Sequence, residues 1–273
     1  MRDVRCHACP LVTACLLLVT LSMAQESSTT LTAFPSWRLF PRFHADALAH
    51  QLSLSRVTDT REWIGTVGTS LPIAQMATGG LTFQVGVGAT VFSRLIKTPG
   101  HITVSTVDYK IDVPVDIDLN AVKLRVGYGH ISSHYADDAI EQLGRRSISA
   151  VKDYVMIAAA RTLAPVGGFV YGGVTYSYHN EPETDKHWQP QIGAEVGQVK
   201  LCDQVEAYAA VDLKFKQEVG WGTTQSYQVG LRVFSRPPYG LRICYTLRTG
   251  LEERGQLYNQ RTTANLVSIV LDH

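Results

Sequence analysis

Residues 129–134 read Gly-His-Ile-Ser-Ser-His, and two of them form the pair that turns a serine into a nucleophile. A serine hydroxyl attacks an ester weakly until a base takes its proton, and an imidazole two residues away on one extended strand, His130 beside Ser132, can come within hydrogen-bond reach. The strand period of two puts both on one face, that of Val122, Leu124, Val126 and Tyr128. If that row meets lipid, the pair does too. A third group, acidic or amide, would hold the ring and stabilise its charge. Asp153 on the next expected strand is the candidate, with Asp137, Asp138 and Glu141 of the intervening loop as alternatives. Two other readings stay open. His130 and Ser132 also suit a polar interfacial band in which Asp137 and Asp138 merely solvate a loop. Alternatively, His130, His134 and one of these carboxylates hold a metal, although the i, i+4 histidine spacing suits a helix better than a strand. Calcium bridging the acidic loop to lipid headgroups belongs to the same reading.

The elements that must position these groups are strands. From about Ala49 to the end the chain shows period-2 alternation and almost no helical periodicity. In GLTFQVGVGATVF, Leu81, Phe83, Val85, Val87, Ala89 and Val91 alternate with small or polar residues, and the same two-faced rows recur around Val122–Tyr128 and Val205–Phe215. Strands are expected near 49–58, 62–71, 80–93, 102–116, 120–132, 148–162, 166–178, 189–199, 203–217, 225–235, 240–249 and 262–272. A soluble sandwich alternates as well. The connections discriminate: RLIKTPGH, SHYADDAIEQLGRRS, NEPETDKHWQ and GLEERGQLYNQRT are long and alternate with the short IDLN, LAPVG, KLCDQ and RPPYG. Long and short loops on alternating sides of an even strand count predict an all-β fold, a transmembrane antiparallel up-and-down β-barrel of about twelve strands. Closure follows, because lipid offers backbone groups no partner.

The beginning of the chain reads as an export signal over residues 1–24. Arg2 and Arg5 precede the uncharged stretch Leu11–Leu21, and Ser22-Met23-Ala24 ends it, with cleavage expected after Ala24. The apolar run is about half the roughly 20 residues of a spanning helix. Residues 25–48, polar and then rich in proline and aromatics, are expected as a periplasmic lead-in before a barrel over 49–273. The formal net charge of +1 and the lack of a basic patch exclude nucleic acid as an expected partner. Membrane lipids, lipopolysaccharide and the barrel assembly machinery are the partners such a protein would meet in the bacterial outer membrane. Cys202 falls in an expected turn and Cys244 in a strand that does not neighbour it, so two separate thiols are expected in place of a bridge.

Tyr128, Tyr176, Tyr178, Tyr227 and Tyr245 suit interfacial girdles, and Trp188 and Trp221 are expected in outer loops. Lys123, Arg125, Asp212, Lys214, Lys216, Arg232, Arg242 and Arg248 are expected to face the lumen, where they either fill it with ion pairs or line a pore. Twelve strands enclose modest room, and the bulky mixed charges favour a mostly filled interior.

Four stretches carry a resemblance to a known family: GHISSHYADD (Gly129–Asp138), SAVKDYVMI (Ser149–Ile157), AAVDLKF (Ala209–Phe215) and GQLYNQR (Gly255–Arg261). In them the chain resembles the bacterial domain of unknown function 1207, which implies an exported outer-membrane protein and no particular activity. The ending NLVSIVLDH departs from the terminal aromatic residue usual in outer-membrane barrels. The His130-x-Ser132 spacing is also similar to the strand motif of outer-membrane phospholipase A and the lipid A 3-O-deacylase. That likeness implies acyl-ester cleavage on the outer wall with a third member from the next strand, here Asp153, and calcium as a candidate cofactor. Ser133 and His134 stand where the phospholipase has asparagine and glycine, which leaves the oxyanion donors unassigned.

Overall fold

The computed structural model describes residues 29–144, 146, 149–164, 167–236 and 239–272; the expected signal segment lies outside them. One antiparallel sheet closes on itself. Its twelve wall strands are β2 (Leu52–Val57), β3 (Glu62–Thr78), β4 (Leu81–Thr98), β5 (His101–Leu119), β6 (Val122–Tyr135), β7 (Ala150–Leu163), β8 (Gly168–Glu181), β9 (Trp188–Cys202), β10 (Val205–Lys216), β11 (Gly222–Arg236), β12 (Tyr239–Leu251) and β13 (Arg261–Asp272). Each pairs with its sequence neighbour, and β13 pairs back onto β2. A short strand β1 (Thr30–Ala33) lies against residues 74–77 of β3, beyond the four residues that β2 covers.

The alternation that defines the strands also fixes which face is wet. Along β4, Gln84, Gly86, Gly88 and Thr90 are buried inside the ring while Val85, Val87 and Ala89 face out. Elsewhere Ile157, Ile269 and Val229 are 52, 52 and 55% exposed on the outer wall, whereas Asp108, Asp112, Asp116, Glu195, Lys214 and Arg242 are buried within. Apolar out and polar in is the inverse of a water-soluble barrel and the arrangement of one that faces lipid. Each outward Val, Ile or Leu forgoes roughly 1.5–3 kcal/mol until a hydrocarbon surface covers it.

Two expectations about the connections change. The stretch RLIKTPGH is not a loop: β4 and β5 continue through it as an 18- and a 19-residue strand and turn on Pro99-Gly100, where Gly100 takes φ 90°. Glycine reaches that left-handed conformation without the clash a Cβ would bring. Trp188 opens β9 instead of sitting in a loop, while Trp221 does lie in the turn before β11. The longest outer connection carries the helix α1 (Asp137–Leu143), closed by Gly144.

The larger difference concerns the stretch expected as a lead-in, described from residue 29 to 48. Beyond β1 the chain does not stay outside the wall; it turns into the ring and returns to begin β2 at Leu52. Phe40 is buried on Ala160 and Tyr171, and Phe43 stacks on Tyr171 at 3.5 Å and 6° between planes. The hydrophilic residues of this segment meet the wall through ion pairs. His44 pairs with Glu195, His50 with Asp112 at 2.7 Å, Asp46 with Lys214 at 2.5 Å, and Arg42 with Asp272 at 3.5 Å. Proline and aromatics do forbid strand pairing here, as the sequence indicates. The charges between them find partners only inside a polar lumen.

At the opposite end, residues 252–257 fold over the mouth, and Glu252, Glu253, Arg254, Gln256 and Leu257 are all buried. Burial alone would raise the Glu252 carboxyl, but the Arg254 guanidinium, bonded to it at 2.5 Å, outweighs this and holds it down at about 2. A depressed carboxyl contributes stability that is complete above its ordinary value of 4.5 and is lost as pH falls through about 2. The loop is therefore expected to stay docked at neutral pH and to loosen progressively below pH 4.5. Pepsin cleavage next to Leu257, followed from pH 4 to 1.5 (about the working range of that protease), measures it; a rate that tracks pepsin's own activity alone would contradict it. Cys202 and Cys244 are both free thiols, Cys202 at the wall's end and Cys244 buried beside Tyr208.

Candidate active site on the outer wall

In β6, Gly129 and Ser133 are buried inside the ring, so the intervening even positions Tyr128, His130 and Ser132 look outward. His130 stands directly opposite Asp153 in the β6–β7 ladder. The Nδ1 atom of His130 lies 2.7 Å from Asp153 Oδ1, and the Tyr128 hydroxyl donates to the same oxygen at 3.1 Å. The second carboxylate oxygen, Oδ2, is 2.8 Å from Nδ1 of His179 on β8. Three strands thus converge on one carboxylate. With an Nδ1 proton donated to Asp153, the His130 ring keeps an unprotonated Nε2, the tautomer a general base requires.

Ser132 lies one pleat further along the same face, roughly 6.6 Å away by strand rise. Its backbone pairs with Tyr109 and Val151. Among the described residues its hydroxyl makes no hydrogen bond, so it is free to rotate about χ1 towards His130; such bonds often form only once substrate is bound. His134, next on this face, packs its ring 6.0 Å from that of Tyr109.

The strand is pinned from behind. Asp112 accepts a hydrogen bond from the Tyr154 hydroxyl at 2.6 Å, directly behind Gly129. Ser133 Oγ accepts from Gly255 N at 3.1 Å, and Gln256 donates to Ser133 O at 2.7 Å. The stretches 129–138 and 255–261, singled out separately in the sequence, are in contact here. Residues 149–157 contribute Asp153, and 209–215 contribute Asp212 and Lys214 to the lumenal network.

His179 was not foreseen. Strict alternation from the outward Tyr178 would aim it inward, but β8 carries a bulge opposite the Asp153–Tyr154 step, so Tyr178 and His179 both face out. A period-2 reading is blind to an inserted residue. The loop carboxylates serve otherwise: Asp138 accepts from Val104 N at 3.2 Å, and Asp137 opens α1. The metal reading of His130, His134 and these carboxylates fails on distance, since four strand residues separate the rings by roughly 13 Å. Among the described residues no three His, Cys, Asp or Glu side chains are grouped to hold a metal ion.

Solved structures share this architecture. The outer membrane phospholipase A from Escherichia coli matches with TM-score 0.52 and 14% identity, over 82% of this chain and 90% of that one. The Salmonella typhi outer membrane phospholipase, solved as a dimer with bound calcium, matches with TM-score 0.54 at the same 14% identity and the same coverage, 82% and 90%. At that identity the likeness is one of fold. No curated protein matches the chain. The family model described as "Protein of unknown function (DUF1207)" matches residues 44–269, from the lumenal segment to the last strand, and the chain belongs to that family.

Proposed function

We propose that this chain is an outer-membrane hydrolase that cleaves acyl esters of membrane lipids at its outer wall. One observation carries the reading: a histidine bonded at 2.7 Å to a carboxylate on the neighbouring strand, with a serine two residues on along the same lipid-facing row. In this scheme His130 Nε2 takes the Ser132 proton as Oγ adds to the ester carbonyl. The ring then returns the proton to the departing alcohol, leaving an acyl-serine. Water repeats the sequence and releases the fatty acid. Asp153 holds the ring in its tautomer and offsets its positive charge. The apolar wall around the site suits acyl chains of a phospholipid or of lipid A, reached without leaving the bilayer. Export by the expected signal peptide and insertion by the assembly machinery into the bacterial outer membrane go with this role. Among the described residues no three acidic, His or Cys side chains are grouped for calcium, and no step is assigned to it.

Purified protein in detergent is expected to release fatty acid from phospholipid or lipid A and to bind a serine-reactive fluorophosphonate covalently. No turnover of either lipid, with or without added calcium, together with no labelling, would sink the proposal. The reading that then remains is a structural or small-solute barrel, supported by the filled lumen.

A further inference from the structure

The lumenal segment and the wall behind it are built so that they can part. Among the described residues, every charged wall group that pairs with the segment has a second partner that is not part of the segment. Glu195, paired with His44, also pairs with Arg232 at 3.2 Å. Lys214, paired with Asp46, also reaches Glu253 at 3.4 Å. Asp112, paired with His50, keeps Lys110 at 3.1 Å and the Tyr154 hydroxyl at 2.6 Å. Asp272, paired with Arg42, keeps Arg242 at 2.8 Å. Removing one partner of a buried pair is ordinarily costly because it strands the other charge. Here removal strands none. The departing groups, Arg42, His44, Asp46 and His50, are themselves hydrophilic, and the large apolar contacts are those of Phe40 and Phe43 on Tyr171 and its neighbours, with the small Ala45 also buried.

The wall also has a slot cut for the segment. His50 lies against Gly88, where any Cβ would overlap its ring. Both ends of the segment stay fixed to the sheet, Ala33 on β3 and Leu52 on β13, so withdrawal breaks no ladder between wall strands. A cavity of about 350 Å³ already runs beside it, between Lys110, Tyr154, Lys214 and the β8–β9 connection.

We propose that residues 40–50 are a displaceable plug, and that the wall behind them is a conduit for small hydrated ions and hydrophilic solutes. Charges of both signs line it, so little selectivity between cations and anions follows. This function is separate from the outer-wall site.

The full chain in planar lipid bilayers tests it. Gly88→Val fills the slot with a residue that strands accept, and Phe43→Ala removes the aromatic hold; a heat-dependent shift in gel mobility shows that each barrel has folded. Plug position is read with Ala47→Cys in a Cys202→Ser, Cys244→Ser background, using a membrane-impermeant maleimide. The expected result is a mostly silent wild type and stepwise conductance at least about tenfold more frequent in either variant. Labelling of the cysteine should rise in parallel. Labelling without conductance overturns the conduit, conductance without labelling overturns the plug, and neither in folded variants overturns both.

Discussion

Replacing Ser132 by alanine is expected to lower fatty-acid release by roughly 10³- to 10⁶-fold, the range found when a serine nucleophile working with a base is removed. His130→Ala should cost about as much, and the double variant scarcely more, because the two act as a unit. Asp153→Ala separates orientation from chemistry. It releases both His130 and His179, so a loss of about 10²–10⁴-fold is expected, with covalent labelling of Ser132 slowed and not abolished. The barrel itself should be unaffected by Ser132→Ala, since among the described residues the hydroxyl holds nothing, and an unchanged heat-shift temperature checks that. Wild-type turnover in Ser132→Ala would move the nucleophile elsewhere and end this assignment.

Gly129→Val is expected to damage site and wall together. A Cβ at this position would overlap the Tyr154 ring and the Asp112 carboxylate on the lumenal side. Neither neighbour yields easily, because Tyr154 donates to Asp112 at 2.6 Å and Asp112 also holds His50 and Lys110. Overpacking costs about 1–3 kcal/mol, and a buried polar group left without its partner about 1–3 more. A total of about 2–6 kcal/mol should appear as a lowered unfolding temperature of the barrel in detergent. Gly129 also sits between Tyr128 and His130, so a strand pushed outward there should reduce hydrolysis even below that temperature. Stability equal to wild type would mean that Tyr154 can swing away, and that the wall is softer behind the site than its hydrogen bonds indicate.

The twelve strands were legible because an apolar outer face and a polar interior impose an alternation that side-chain type records directly. Val85, Val87 and Ile157 could be read as outward without coordinates. The His130–Asp153 contact was legible for the same reason: both residues keep step with that alternation. Three features were not. His179 depends on a bulge, the inward path of residues 34–50 depends on partners up to 230 positions away, as between Arg42 and Asp272, and the continuation of β4 and β5 depends on pairing through a stretch whose lysine and proline look like loop. Each is decided by neighbours across the sheet or lumen, about which a local window holds no information.

The short pairing of β2 with β3 has a mechanical meaning. Four residue pairs join these strands, against twelve between β12 and β13, and β1 resumes contact only at Ala74. Between the two, residues 67–73 of β3 have no strand partner on that side among the described residues, and the segment entering the lumen spans part of the gap: Arg38 donates to Ser70 O at 2.9 Å and Phe34 N to Ile73 O at 2.9 Å. A cylinder under strain parts where its stitching is sparsest, so this seam is where the ring should breathe first, with amides 67–73 exchanging ahead of the rest of the wall. The staple across it is drawn from the same stretch of chain that fills the lumen. Sealing the seam and stopping the bore thus fall to consecutive stretches of one segment, the staple at residues 34–38 and the plug after it, and the staple can hold while the plug leaves.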